Sequence, residues 1–448
     1  MARLHFGSRG GGGSQWPFLG AHLFREGQFG GLYDPSDLST LYQSTDLSSP
    51  ATEPGHAVRL MLDKTRNGLN VTQADVDKAS ALGRTVRGGR VNRLLHTETL
   101  SNAVWVKTNT TVADQGGGVW LISDDSANGR HGIGQDPSIS GPYLRHVEIK
   151  AGTANRVFVS ANVGGTRNVA SFNLTTGQVQ VNDQDGLNAS ANLVALSDGW
   201  WRLPYRADDG DFFVGFSTSD GATGTANGQN QSYTGDGTRN FLVRFPQANV
   251  KSGLDPFPYQ RVGIALDVTE TGKKPLWFLQ GDGIDDFMTT ASINPAAYSS
   301  VLVGVATERL TDVDNQMVVS FRGSETNGSF EMRDPESAGQ VEWRSRTTTN
   351  RTVRQLGPVA PVRHTIIGTT DLLGATLRLR VDGVVVEEET FDVQGTSWET
   401  PDAIGLLGRA DGTFTFSGRF FGGVVSFATY TPQEIAALHG WLAERLGT

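Results

Sequence analysis

Apolar residues in this chain fall mostly at alternate positions, in short runs broken by Gly, Asn and Asp. Ala170, Phe172 and Leu174 alternate with Ser171 and Asn173. The pair Thr176-Gly177 then turns the chain into Val179 and Val181, a half-buried hairpin. A second hairpin has Leu377, Leu379 and Val381 facing inward and Asp382-Gly383 as its two-residue type I′ turn. Trp200 to Leu203 and Asp211 to Phe216 read as a further pair of strands. Helical periodicity is rare. One helix is predicted from about Gln73 to Leu82, capped by Thr72. The other closes the chain at about 432 to 446, after a strand from Gly422 to Tyr430. There Thr431 caps, Pro432 enters the first turn, Glu434 completes a capping box, and Ile435, Leu438 and Leu442 share a face. The pattern predicts an all-β protein with a single C-terminal helix.

The same punctuation divides the chain. Residues 1 to 30 combine Gly10 to Gly13 with spaced aromatics, Trp16, Phe18, Phe24 and Phe29. Such a segment is either a flexible leader or an attachment arm that orders against a partner. Residues 31–91 form an N-terminal attachment or linker region, 92–260 a complete β-sandwich, and 261–448 a second one, with the two meeting near Pro256-Phe-Pro.

Composition narrows the function classes. With 448 residues, 56 of them Gly, and 19% charged, the chain is long enough for several strand-rich domains. A net charge of −9 argues against nucleic-acid or anionic-membrane partners, the basic run Arg84 to Arg93 being a local exception. No apolar run approaches the ~20 residues of a membrane span. Cysteine is absent, so disulfides and thiolate metal sites are excluded, which suits synthesis in a reducing cytoplasm.

Several stretches carry a resemblance. The ending, Gly418 to Leu446, resembles that of concanavalin A-like (laminin-G-like) jelly rolls in bacteriophage and prophage virion proteins, and Pro275 to Thr290 resembles the opening of such a sandwich. Gly31 to Gln43 resembles an entry stretch of phage and gene-transfer-agent surface proteins. Between them, Asn92 to Trp105, Arg145 to Gly152, Asp198 to Leu203 and Tyr233 to Thr238 are similar to the carbohydrate-binding-module-like jelly rolls of phage structural proteins. One departure stands at Phe241 to Gln247, where a Trp-Gly or Phe-Gly step is expected before the Gln. The resemblance implies two antiparallel jelly-roll sandwiches in a head spike, fibre or tail adhesin, a homo-oligomer joined to other virion structural proteins and binding host polysaccharide at the particle surface.

Candidate chemistry points the same way. A depolymerase needs two carboxylates facing one groove. The nearest runs are Glu331 to Glu336, interrupted by Pro335, and Glu387 with Glu389, which read as a solvated edge. The eight His are scattered singly, and no nucleophile elbow or phosphate-cradling loop is present. His131 reads as a hydrogen-bonding loop residue. Asp282, Asp285 and Asp286 offer the oxygen ligands that Ca²⁺ prefers, or cap turns through their own backbone. Otherwise no cofactor is expected. Sugar recognition uses an aromatic face with planar hydrogen-bonding groups around it. Trp120, Tyr143, Trp201, Trp343 and Arg344 are the candidates, while Trp105, Trp277 and Trp441 are expected in cores. Adjacent Trp200 and Trp201 must point to opposite faces of one strand. The expected role is therefore a non-enzymatic adhesin. The alternatives are a structural decoration or connector protein and a capsule depolymerase.

Overall fold

A computed structural model describes residues 24, 28–65, 67–138, 141–163, 166–183, 186–218, 232–321, 329–336, 339–346, 350–356, 359–390, 398 and 401–448. The chain is mostly antiparallel β-sheet and forms two compact units, residues 1–87 with 276–448, and residues 88–275.

The first unit is a sandwich of an eight-stranded and a nine-stranded sheet. In the eight-stranded sheet Ser300–Arg309 and Ser417–Ser426 lie side by side at the centre, with Leu276–Asp282 next to Ser417–Ser426. The nine-stranded sheet runs from Leu41–Tyr42 through Ile404–Leu406 and Met317–Phe321 to Asn350–Leu356. Between them lies a core that includes Val303, Val305, Phe321, Phe330, Trp343, Trp398 and Phe420.

The C-terminal helix, α1 (Pro432–Leu446), begins as its sequence requires. Thr431 Oγ1 accepts from the Glu434 N–H, Glu434 Oε2 accepts from the Thr431 N–H, and Gly447 ends the helix in the left-handed conformation. The helix packs on the eight-stranded sheet at Gly304, where a Cβ would stand 2.9 Å from Leu438. The hairpin at Asp382-Gly383 also forms as expected, with positive φ at both residues and Leu377 and Leu379 buried.

Residues 31–91 do not form a separate linker. Gly30–Tyr33 pairs with Ser417–Ser426, Ala81–Thr85 pairs with Leu276–Asp282, and Leu41–Tyr42, Leu60–Met61 and Val71–Thr72 edge the nine-stranded sheet. The predicted helix over 73–82 is instead a single 3-10 turn, Val76–Lys78, capped by Asp75, followed by the strand Ala81–Thr85. Leu82 is needed in the core, and pairing with Leu276–Asp282 outweighs the local helical pattern.

The second unit is a smaller sandwich of a six-stranded and a seven-stranded sheet. The first contains Arg156–Val163, Thr166–Asn173 and Phe212–Phe216. The second centres on Tyr143–Ala151, flanked by Trp200–Ala207 and Asn240–Val250. Trp200–Ala207 and Phe212–Phe216 therefore belong to opposite sheets and do not pair with each other as the sequence suggested. The strands Gln260–Val262 and Val268–Glu270 also belong to this unit, so the change of unit falls after Pro275 rather than at 260.

Candidate functional site

The local feature that shapes the second unit's surface is a bulge. Asn240–Val250 pairs with Tyr143–Ala151 through Arg244 and Glu148, then resumes at Gln247 and His146, so Phe245 and Pro246 stand against one residue, Val147. Pro246 has no N–H to lose from the ladder. Phe245 adopts φ +54°, a left-handed conformation that costs a bulky residue about 1–3 kcal/mol. This is the position at which the sequence departs from the expected glycine step. The bulge sets the Phe245 ring against Tyr259, with centroids 4.6 Å apart. On the strand side, the Arg244 guanidinium lies 5.1 Å from Phe245 and 4.1 Å from Trp200, and pairs with Glu148 at 2.8 Å.

Tyr259 is held at its far end, where its hydroxyl donates to Thr97 Oγ1 at 2.8 Å. Glu98 follows on a turn pinned by two indoles: Trp105 Nε1 donates to the His96 carbonyl and Trp120 Nε1 to the Glu98 carbonyl. Arg261, two residues after Tyr259, reaches Glu98 Oε2 at 3.4 Å and Asp267 Oδ2 at 2.9 Å. Glu270 is fixed by Lys273 at 2.8 Å and by the Gln260 amide at 3.2 Å. Together Glu98, Phe245, Tyr259, Arg261, Thr269 and Glu270 line an open cleft of about 490 Å³.

Burial lifts the Glu98 carboxyl above the usual carboxylate range, with Arg261 opposing and Asp267 adding to the rise. The cleft thus has an aromatic wall, fixed carboxylate acceptors and one guanidinium donor. An aromatic face packs on the C–H face of a pyranose, and carboxylate and guanidinium groups bond its hydroxyls in plane.

The sequence candidates lie elsewhere. Trp120 and Tyr143 are buried in the second unit's core, Tyr143 beneath the Arg145 guanidinium at 3.6 Å, so neither is a sugar platform. Trp120 nevertheless supports the cleft through Glu98. Trp201 faces the core, opposite Ile149, and Trp200 takes the outer face under Arg244, the reverse of the expected orientation. Trp343 is fully buried in the first unit, where Gly368 leaves room for its ring and Thr370 accepts from its Nε1. Arg344, on the other face of that strand, belongs to a lattice in which Glu331 and Glu342 are ringed by Arg333, Arg344, Arg354 and Arg409. Trp105 and Trp441 are core residues as expected, while Trp277 is half-buried beside Arg84.

The structure brings Asp282, Asp285 and Asp286 together, with ligand oxygens within 4.8 Å of one another. Their oxygens serve the turn: Asp282 Oδ1 accepts from Ile284 N–H, and Asp286 Oδ2 from Asp282 N–H. Of the proposed attachment aromatics, Phe29 stacks on Tyr298 and touches Phe427, so it is committed to the first sandwich. Phe24 is half-buried beside Gly30. Trp16 and Phe18 lie outside the described residues. His131 is a buried hydrogen-bonder to the Asn109 and Tyr233 carbonyls, as its sequence setting suggested. Glu387 sits exposed on an edge strand.

Phe245, Tyr259, Arg261 and Glu98 were not singled out in sequence. Two signals were available: the Phe-Pro step in place of Phe-Gly, and aromatic Phe257 and Tyr259 set among prolines just before Arg261.

No protein-family description matches the chain, and no curated protein is similar to it. Among solved structures it is similar to the carbohydrate-binding module CBM40 of a Ruminococcus gnavus sialidase, determined with α2,3-sialyllactose: 16% identity, TM-score 0.28, covering 34% of this chain and 98% of the module. It also resembles the NanB sialidase of Streptococcus pneumoniae, at 17% identity and TM-score 0.26 over 32% of this chain and 28% of the enzyme. A third likeness is to the binding domain of botulinum neurotoxin serotype G, at 10% identity and TM-score 0.30 over 39% and 44%.

Proposed function

We propose that this protein binds glycan through the second unit's cleft and breaks no bond. The observation that carries the reading is the Phe245–Tyr259 wall, raised by a strained bulge beside the fixed polar groups Glu98, Arg261 and Glu270. Such open sites bind single glycans weakly, at ~mM to tens of μM, so useful adhesion requires many copies. This fits the role implied by the sequence resemblances, a spike or fibre on a phage or gene-transfer-agent particle. There the chain would sit as a homo-oligomer among other virion proteins and hold a host's surface polysaccharide. The resemblance of Gly31 to Gln43, Pro275 to Thr290 and the C-terminal stretch to virion proteins supports the particle setting.

The test is adsorption to capsulated cells and to arrayed bacterial polysaccharides. Tyr259→Ala and Arg261→Ala should each lower retention at least about tenfold, a loss of about 1.4 kcal/mol per site, while melting remains cooperative. Release of reducing ends from purified capsule would show a depolymerase instead. Particles that adsorb equally well without the protein would favour a structural connector.

A further inference from the structure

We infer that the cleft selects uncharged pyranose glycans and turns away those bearing carboxylate or sulfate groups; this rests on the reading of the cleft as a saccharide site. The charge arrangement carries the inference. Glu98, Asp267 and Glu270 stand against two cations, Arg261 and Lys273, and both cations are engaged. Arg261 is held from two sides, by Asp267 at 2.9 Å and Glu98 at 3.4 Å, and Lys273 reaches Glu270 at 2.8 Å. An acidic sugar needs a guanidinium fork open to its carboxylate. Here its charge would meet a guanidinium already neutralised by Glu98 at Nε and Asp267 at Nη1, and it would sit beside both carboxylates, a like-charge contact in a half-desolvated site.

A neutral sugar meets no such repulsion. Glu98 keeps free lone pairs while paired with Arg261, and its side chain is 33% exposed. Vicinal hydroxyls can donate to it while the sugar's C–H face covers Phe245 and Tyr259. Arg244, 5.1 Å from the Phe245 ring, is already shared between Glu148 and the Trp200 ring. Neutral chains such as glucans, galactans and mannans therefore fit the donor and acceptor set, whereas sialylated, uronic-acid or sulfated chains do not.

The experiment uses the full chain and paired titrations. Neutral probes are cellohexaose, maltohexaose and a galactomannan oligosaccharide; acidic probes are 3′-sialyllactose and a hyaluronan hexasaccharide. At least one neutral probe should bind with about tenfold or greater preference over every acidic one at low salt. Glu98→Gln, which removes one negative charge from beside Arg261, should narrow that gap by raising affinity for the acidic probes. Acidic probes binding as tightly as neutral ones, with binding still lost in Tyr259→Ala, would overturn the selectivity and leave the saccharide site standing. Failure of all probes, or binding indifferent to Tyr259, would overturn the saccharide site itself and the selectivity with it.

Discussion

Residues in this protein are placed by what their neighbours do with charge and burial. Asp286 shows this most clearly. Burial, and then the carboxylate of Asp282, push its carboxyl up to about 6. A carboxyl whose folded pKa exceeds its unfolded one binds more protons in the folded state. Stability is therefore lost as pH rises from about 4 to about 6, and the loss is complete above that. Asp286→Asn keeps an oxygen to accept the Asp282 N–H while removing the charge. It should match the wild type near pH 4 and exceed it by about 1–3 kcal/mol at pH 8 in chelator-treated buffer, measured by urea unfolding. Equal stability of the two proteins at both pH values would contradict this. A large calcium-dependent rise in wild-type stability, absent from the variant, would instead make the cluster a cation site. At this scale the sequence was only partly legible. The three aspartates could be picked out as a group, but Trp343 was misread as a surface residue because its neighbours Glu342 and Arg344 are charged. On a strand, charged neighbours place the residue between them on the opposite, inward face.

Elements are tied together by polar nodes as well as by packing. In the first unit Asp334, at the end of Ser329–Arg333, accepts from Arg309 at 2.8 Å, lies 2.6 Å from His364 Nε2, and receives Thr307 Oγ1 at 3.3 Å. All four side chains are buried. Burial alone would raise the Asp334 pKa, but His364 and then Arg309 hold it below the usual value. Burial likewise opposes the charge on His364, and Asp334 raises its pKa above the usual value. The aspartate's contribution is present above about pH 4 and is lost as pH falls through its depressed pKa. The histidine's is present below about pH 6.5 and is lost as pH rises through its raised pKa. Stability of this unit should therefore decline on both sides of a plateau. Asp334→Asn should cost about 3–5 kcal/mol at neutral pH by removing the carboxylate that buried His364 faces and one of the two that buried Arg309 pairs with, and His364→Gln should flatten the alkaline limb. Denaturant unfolding across pH 3 to 10 checks both, and an unchanged alkaline limb in His364→Gln would contradict the assignment.

Long, regular elements were readable. The C-terminal helix and the Asp382-Gly383 hairpin each depend on residues a few positions apart. The 31–91 segment was not, because its strands are two to five residues long and their partners lie far along the chain. Gln73, for example, donates to the Phe287 carbonyl 214 residues away. Two-residue strands show no alternation, so their place is set only by the sheet that receives them.

At the scale of the whole molecule, sequence pattern reached the architecture and stopped short of the site. Two all-β sandwiches and a terminal helix follow from alternation and turn chemistry, which are local. The cleft joins residue 98 to residues 245 and 259–271, and its wall exists only because a bulge turns Phe245 outward against Tyr259. Trp120 and Trp343, obvious sugar-stacking candidates, sit in cores, Trp120 also pinning the Glu98 turn, and a Phe–Tyr pair took the surface position. The first unit's lattice of arginines around buried Glu331 and Glu342 shows the same pattern, since Arg344 works there against Glu342. The most direct measurement is therefore residue-resolved NMR of the full chain, titrated with the polysaccharide that retains it best. A glycan seated in the cleft should shift the amides of Glu98, Phe245, Tyr259, Arg261 and Glu270 together, with one common affinity, and Tyr259→Ala should abolish those shifts. Shifts confined to the first unit, or binding that survives Tyr259→Ala with the cleft amides unmoved, would contradict a glycan site there.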